Sequence, residues 1–161
     1  MSSSTHVFAQ TRTASPELEI EHYLHRHIPL TAAMGVRVKI AMPARVELTA
    51  PLAPNINHHE TVFGGSASAL ATLSAWTLVH IGLRHAGVDA ATVIQRNVMS
   101  YEEPIRGDFS ALCTLTDDDA WQRFLRTLAR RGRGRITMNA HLRFDERQVG
   151  SFEGDFVATM R

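Results

Sequence analysis

The stretch 61–83 contains no Asp, Glu, Lys or Arg, in a chain whose overall charged share is 20%. Its leading half is small-sided, with Ser66, Ala67, Ser68, Ala69, Ala71, Ser74 and Ala75, and larger apolar residues such as Leu70, Leu73, Trp76, Leu78 and Val79 cover most of the remaining circumference. A helix apolar nearly all round must be buried, and small side chains let neighbouring backbone come close. The run is long enough to span a bilayer. Its Gly, Ser, Thr and Ala content, its His80 and its isolation favour a helix wrapped by sheet, with no membrane partner expected.

Directly ahead of the helix stands Asn57-His58-His59-Glu60-Thr61-Val62-Phe63-Gly64-Gly65-Ser66. A helix start offers unpaired N–H groups and the positive end of the macrodipole. Glycine there lets a ligand reach the main chain. Polar side chains feeding into such a terminus suit a site that polarises a carbonyl or holds an anion.

The rest of the chain reads as strands with short helices. Ser15 is a natural cap for a helix over Pro16–His27, with Pro16 at its first position and Leu18, Tyr23 and Leu24 as an apolar stripe. In 36–42, Val36, Val38, Ile40 and Met42 alternate with polar residues, and Val46, Leu48, Ala50 and Leu52 repeat the pattern after a turn at Pro43-Ala44. The central helix is expected over 65–85 with Gly87 as its stop. A long strand follows at 92–101, then one carrying Phe109, Ala111, Cys113 and Leu115. Three aspartates introduce a short helix at 120–129, and two last strands carry Ile136 to Phe144 in alternation and Phe152, Phe156, Ala158 and Met160. Adjacent runs of strands favour antiparallel pairing, hence an α+β fold with one sheet curled round one helix. Residues 1–15 read as a flexible N-terminal arm and 16–161 as a single domain.

Composition removes several function classes. A formal net charge of +1 gives no bulk attraction to nucleic acid. One cysteine excludes an internal disulfide or a multi-cysteine metal site, and suits a reducing, cytoplasmic setting. His22, His25 and His27 lack an obvious carboxylate or thiol companion and read as surface histidines; no metal or cofactor is expected. The arginines from Arg123 to Arg135 read as a solvated helix face, or else as a landing place for phosphates.

That element order, with this motif at the helix entrance, resembles the hotdog fold of acyl-CoA thioesterases and dehydratases, and within it the thioesterase family of the YiiD C-terminal-domain type. The matching stretches are Ile28-Pro-Leu-Thr with Met34-Gly35, Ala50-Pro-Leu-Ala-Pro-Asn-Ile-Asn-His58, Thr61-Val-Phe-Gly-Gly-Ser66, and Tyr101 with Pro104 and Gly107-Asp108. The resemblance implies a homodimer or dimer of dimers, sheets joined edge to edge, acting on an acyl-CoA or acyl-carrier-protein thioester. Many such enzymes place an Asn before the loop, a His-Gly-Gly at the helix entrance and an acid about two turns further on. Here Asn57 and Gly64-Gly65 match, whereas Phe63 replaces the His and Thr72 the acid. Relatives often carry Gly at Glu60 and a basic residue at Glu103.

The chemical roles then expected are the Gly65 N–H as oxyanion donor, His58 as acid and base, Asn57 as orienter of water or carbonyl, and Thr72 as a polar helper. His59, Glu60, Phe63, Gly64 and Ser66 are expected to line the substrate, with Glu60 a stand-in for the missing carboxylate and Ser66 a helix cap rather than a nucleophile. Adjacent loop histidines usually point apart, so one of His58 and His59 is expected to face the site. Cys113 alternates with core residues and reads as a structural thiol. A non-catalytic acyl-thioester binder and a 3-hydroxyacyl-thioester dehydratase are the rival readings.

Overall fold

The computed structural model describes residues 14–161, so residues 1–13 of the expected arm lie outside the described part. Six strands form one antiparallel sheet in the order β1-β2-β4-β5-β6-β3. They are β1 (Arg37–Met42), β2 (Arg45–Ala50), β3 (Ala90–Tyr101), β4 (Phe109–Thr114), β5 (Arg133–Phe144) and β6 (Arg147–Met160). The helices are α1 (Pro16–His27), α2 (Pro29–Ala33), α3 (Gly64–His85) and α4 (Asp118–Arg131). The sheet curls round α3, which packs against all six strands. Although α3 is long and apolar enough to cross a membrane, Leu70, Ala71, Ala75, Leu78 and Val79 are fully buried against the sheet.

Most expected elements form where the periodicity places them, and the departures have physical causes. In β1 a bulge between Val38 and Ile40 advances the side-chain phase by one residue. Ala41 therefore turns inward, and Met42, expected on the buried face, is exposed. On α1 the buried positions are Leu24 and Glu21, while Leu18 is exposed. Glu21 is tolerated inside because its carboxylate accepts from the Val38 N–H at 3.0 Å and from Arg37 at 2.8 Å. Pro29 does not merely end α1; it occupies the first position of α2, a site where proline's missing N–H costs nothing. The helix expected at 120–129 extends to Asp118–Arg131, because the Asp117 side chain caps Ala120 N at 2.8 Å and Gly132 closes it in the left-handed conformation.

One contiguous core joins the inner faces of the strands to α3 and α4. Trp121 of α4 packs against α3 at Gly82, near the end farthest from the glycine pair. A Cβ at Gly82 would lie 2.7 Å from the Trp121 ring, so this close approach requires glycine. Cys113 is wholly buried on β4, and burial pushes its thiol up to about 12, leaving it protonated and unreactive. The β5–β6 hairpin turns through Asp145 and Glu146, both at positive φ, the backbone of a tight two-residue turn.

Candidate active site

The loop before α3 is built on Asn57. Its side-chain oxygen accepts from the N–H groups of His59 (2.8 Å) and Thr61 (3.2 Å), and its amide donates to Thr61 Oγ1 at 3.0 Å. The backbone closes the same turn, Asn57 N to Thr61 O at 2.8 Å and Glu60 N to Asn57 O at 3.1 Å. Asn57 is thus engaged in shaping the loop, as asparagine does in turns. Glu60 sits at φ 59°, the left-handed region. That backbone favours glycine, and a side chain adopts it only at some cost.

His58 and His59 do not diverge. Both are exposed, and their rings pack on each other with centroids 3.9 Å apart. The chain then returns through Val62, whose N–H donates to Ile105 O, and Phe63, whose N–H donates to Asn55 O. These two bonds aim the start of α3.

At that start Phe63 is the N-cap and supplies no side-chain hydrogen bond. Ser66, expected as a cap, falls inside the helix instead. The earliest paired helical amide is Ala67 N on Phe63 O at 3.0 Å. Ahead of it the N–H groups of Gly64, Gly65 and Ser66 have no acceptor among the described residues. Gly65 is exposed, with the edge of the Phe63 ring over its Cα: a Cβ there would lie 2.3 Å from the ring.

Tyr101, from the end of β3, completes the entrance. Its hydroxyl donates to the Gly64 carbonyl at 3.1 Å, and its ring lies over the Gly64 Cα. The Gly64 carbonyl and the Gly65 N–H belong to one planar peptide group and point oppositely. Tyr101 therefore holds the plane from behind, leaving the Gly65 N–H directed outward and polarised by the bond on its far side. Sequence reading did not place Tyr101 in the site, because 37 positions separate it from Gly64 and strand alternation does not reveal which helix terminus a strand end will meet. A cavity of about 290 Å³ opens beside the entrance, lined by Thr61, Val62, Ala67, Tyr101, Glu102 and neighbours. Glu103, at its rim, is paired with Arg147 at 3.0 Å.

Thr72 lies seven residues beyond Gly65, a spacing that returns to the same helix face. Ser68, Ala69, Thr72, Trp76 and His80 are all half-buried, so this face is the accessible stripe of an otherwise enclosed helix. No acid lies on it. Among the described residues no cluster of His, Cys, Asp or Glu has the makings of a metal site.

The loop and helix entrance fall within a family match. The family described as "Putative thioesterase (yiiD_Cterm)" matches residues 17–160, and the chain belongs to it. The fold is the hotdog fold, shared with several solved structures. A protein of unknown function from Chlorobaculum tepidum superposes with a TM-score of 0.85 at 25% identity, over 90% of this chain and 94% of that one. A structure from Shewanella oneidensis described as a "putative thioesterase" gives 0.79 at 24% identity, covering 89% and 96%. A Pseudomonas aeruginosa protein of unknown function, described as a "Probable Thioesterase", gives 0.77 at 19% identity over 89% and 96%.

Proposed function

We propose that this chain hydrolyses the thioester of an acyl-CoA or acyl-carrier protein, working as a homodimer joined along β3. The observation that carries the reading is the exposed, uncapped start of α3, where Gly65 presents an unpaired amide in a chain of the thioesterase family. The thioester carbonyl oxygen sits on the Gly65 N–H. Water attacks the carbonyl carbon, the C=O electron pair moves onto that oxygen, and the amide holds the resulting oxyanion. Collapse breaks the C–S bond. His58 takes the proton of the attacking water and returns it to the departing thiolate. Asn57 acts by holding the turn that carries His58, with Thr72 as a polar contact along the helix. His59 backs the His58 ring, Phe63 and Gly64 frame the carbonyl, and Ser66 and Glu60 flank it.

Edge pairing is supported by β3 itself. It is twelve residues long, lies at the sheet edge, and exposes Val93, Val98 and Tyr101. Such an edge is a template for another strand.

The absence of an acid on the accessible stripe favours a second reading, a binder of acyl thioesters without turnover. Release of CoA from a panel of acyl-CoAs separates the two. Hydrolysis that falls about a hundredfold in His58→Ala supports the enzyme. Binding without turnover in the native chain removes it.

A further inference from the structure

A second cavity lies at the other end of α3, with a volume of about 490 Å³. Trp76 and His80 sit 11 and 15 positions past Gly65, roughly 16 and 22 Å further along the axis by helical rise. Its walls are unusual. Tyr23 of α1 and Trp76 and His80 of α3 present three nearly parallel rings, with His80 4.9 Å from each of the other two centroids and interplanar angles of 24° and 12°. Tyr23 and Trp76 are themselves within 13° of parallel at 6.4 Å.

Two lining residues each carry a buried polar atom left without a partner: His80 Nε2 on α3 and Thr92 Oγ1 on β3. An unmet buried group is costly, so two such groups among the residues of one cavity mark a place that a small side-chain shift toward a bound molecule would relieve. The indole N–H of Trp76 is already taken, donating to Thr92 O at 2.9 Å, so it braces the wall. Burial, then the charges of Arg84 and Arg161, hold the His80 pKa below its ordinary value, keeping the ring neutral at pH 7. Arg84 and Arg161 stand at the rim. Arg161 is shared with Asp89 at 3.7 Å, whereas Arg84 has no carboxylate within 4.0 Å among the described residues.

We propose that this cavity binds a flat unsaturated ring carrying an anionic group, the ring lying on the Tyr23–His80–Trp76 wall and the anion meeting Arg84. Aromatic faces take planar rings by offset stacking, guanidinium matches carboxylate or phosphate, and neutral His80 with Thr92 serves the ring's polar edge. The volume falls within the range of small-molecule sites. Two sources offer this chemistry: the adenine nucleotide of a coenzyme, or an aromatic carboxylic acid.

The test is titration of the full chain with 3′,5′-ADP and, separately, with benzoate, followed by tryptophan fluorescence and by calorimetry. One probe is expected to bind saturably and to quench Trp76, with the quench lost in Trp76→Phe. Affinity is expected to fall about tenfold in Arg84→Ala, an exposed position whose change spares the core, and several-fold in the isosteric Thr92→Val. Binding of 3′,5′-ADP alone assigns the nucleotide, and of benzoate alone the aromatic acid. The proposal is overturned if neither probe binds below about 10 mM, or if binding is untouched by both Arg84→Ala and Thr92→Val. No thioester enters the measurement, so its failure leaves the hydrolysis reading standing, and loss of hydrolysis leaves this site standing.

Discussion

The two edges of the sheet are treated in opposite ways. β1 is six residues long, bulged, and covered: α1 lies beside it, Glu21 accepts from its Val38 N–H, and His25 Nε2 bonds Val36 O at 2.8 Å just before it. β3 is twice that length and bare on both faces through Val93 and the span 95–98. Among the described residues its backbone receives a single side-chain hydrogen bond, from Trp76. Shortening, bulging and covering an edge are the usual protections against unwanted pairing. β1 has all three, whereas β3, though bulged between Ile94 and Arg96, is long and uncovered, and this difference supports the proposal that β3 is the edge that is joined.

The largest effect that tests this contrast is on assembly. The double substitution Val93→Asp and Val98→Asp places like charges along the proposed seam and is expected to convert a dimer to a monomer, weakening association by about a hundredfold or more in sedimentation or light scattering. A monomeric native chain breaks the comparison. Next comes the covered edge. Glu21→Ala leaves the Val38 N–H buried and unpaired, and is expected to cost about 2 kcal/mol in denaturant unfolding without altering the oligomeric state. At the end of the bare edge, Tyr101→Phe keeps the ring and removes the bond behind the Gly64–Gly65 peptide. Its expected signature is a drop in kcat of about fivefold to tenfold with KM unchanged, corresponding to about 1 kcal/mol.

The smallest effect concerns how β3 is tied to the sheet. Asp155 on β6 accepts from Thr137 and Arg135, both at 2.6 Å, and lies 3.9 Å from Arg96 of β3. The Thr137 hydroxyl foremost, then the Arg135 guanidinium, holds the Asp155 carboxyl below its ordinary range, with the nearby charges adding to this against a contrary push from burial. A lowered folded value means the contribution is present above the ordinary aspartate range and is lost as pH falls through the folded value. The stability gap between the native chain and Asp155→Asn is therefore expected to be open at pH 7 and to close toward pH 2 in thermal melts.

Sequence periodicity made much of this fold legible. The buried helix, the alternation in β4 and β5 and the capping at Ser15 each leave a local signal, and the glycine pair marks the entrance of α3. What stayed hidden was non-local. A buried Glu21 breaks the apolar stripe of α1 because its partners come from another element, and no pattern within 16–27 announces them. The bulge in β1 cannot be seen in alternation that reads cleanly through Met42. In the site, the glycines and histidines were visible as a motif, yet the packing of His58 on His59 and the engagement of Asn57 in its own turn depend on backbone angles, notably the positive φ of Glu60. Tyr101 needed the whole sheet to bring it to Gly64.

The notch at Gly82 carries a mechanical consequence. With the Trp121 ring set into the helix where a side chain would otherwise stand, α3 is keyed against axial slip. A shift of one residue, about 1.5 Å, would drive that ring into a neighbouring β-carbon in an interior with no slack. Any force applied at the glycine end by the proposed thioester substrate is thus met by a rod braced against sliding, so that yielding falls to the loop and the aromatic pair in front of it.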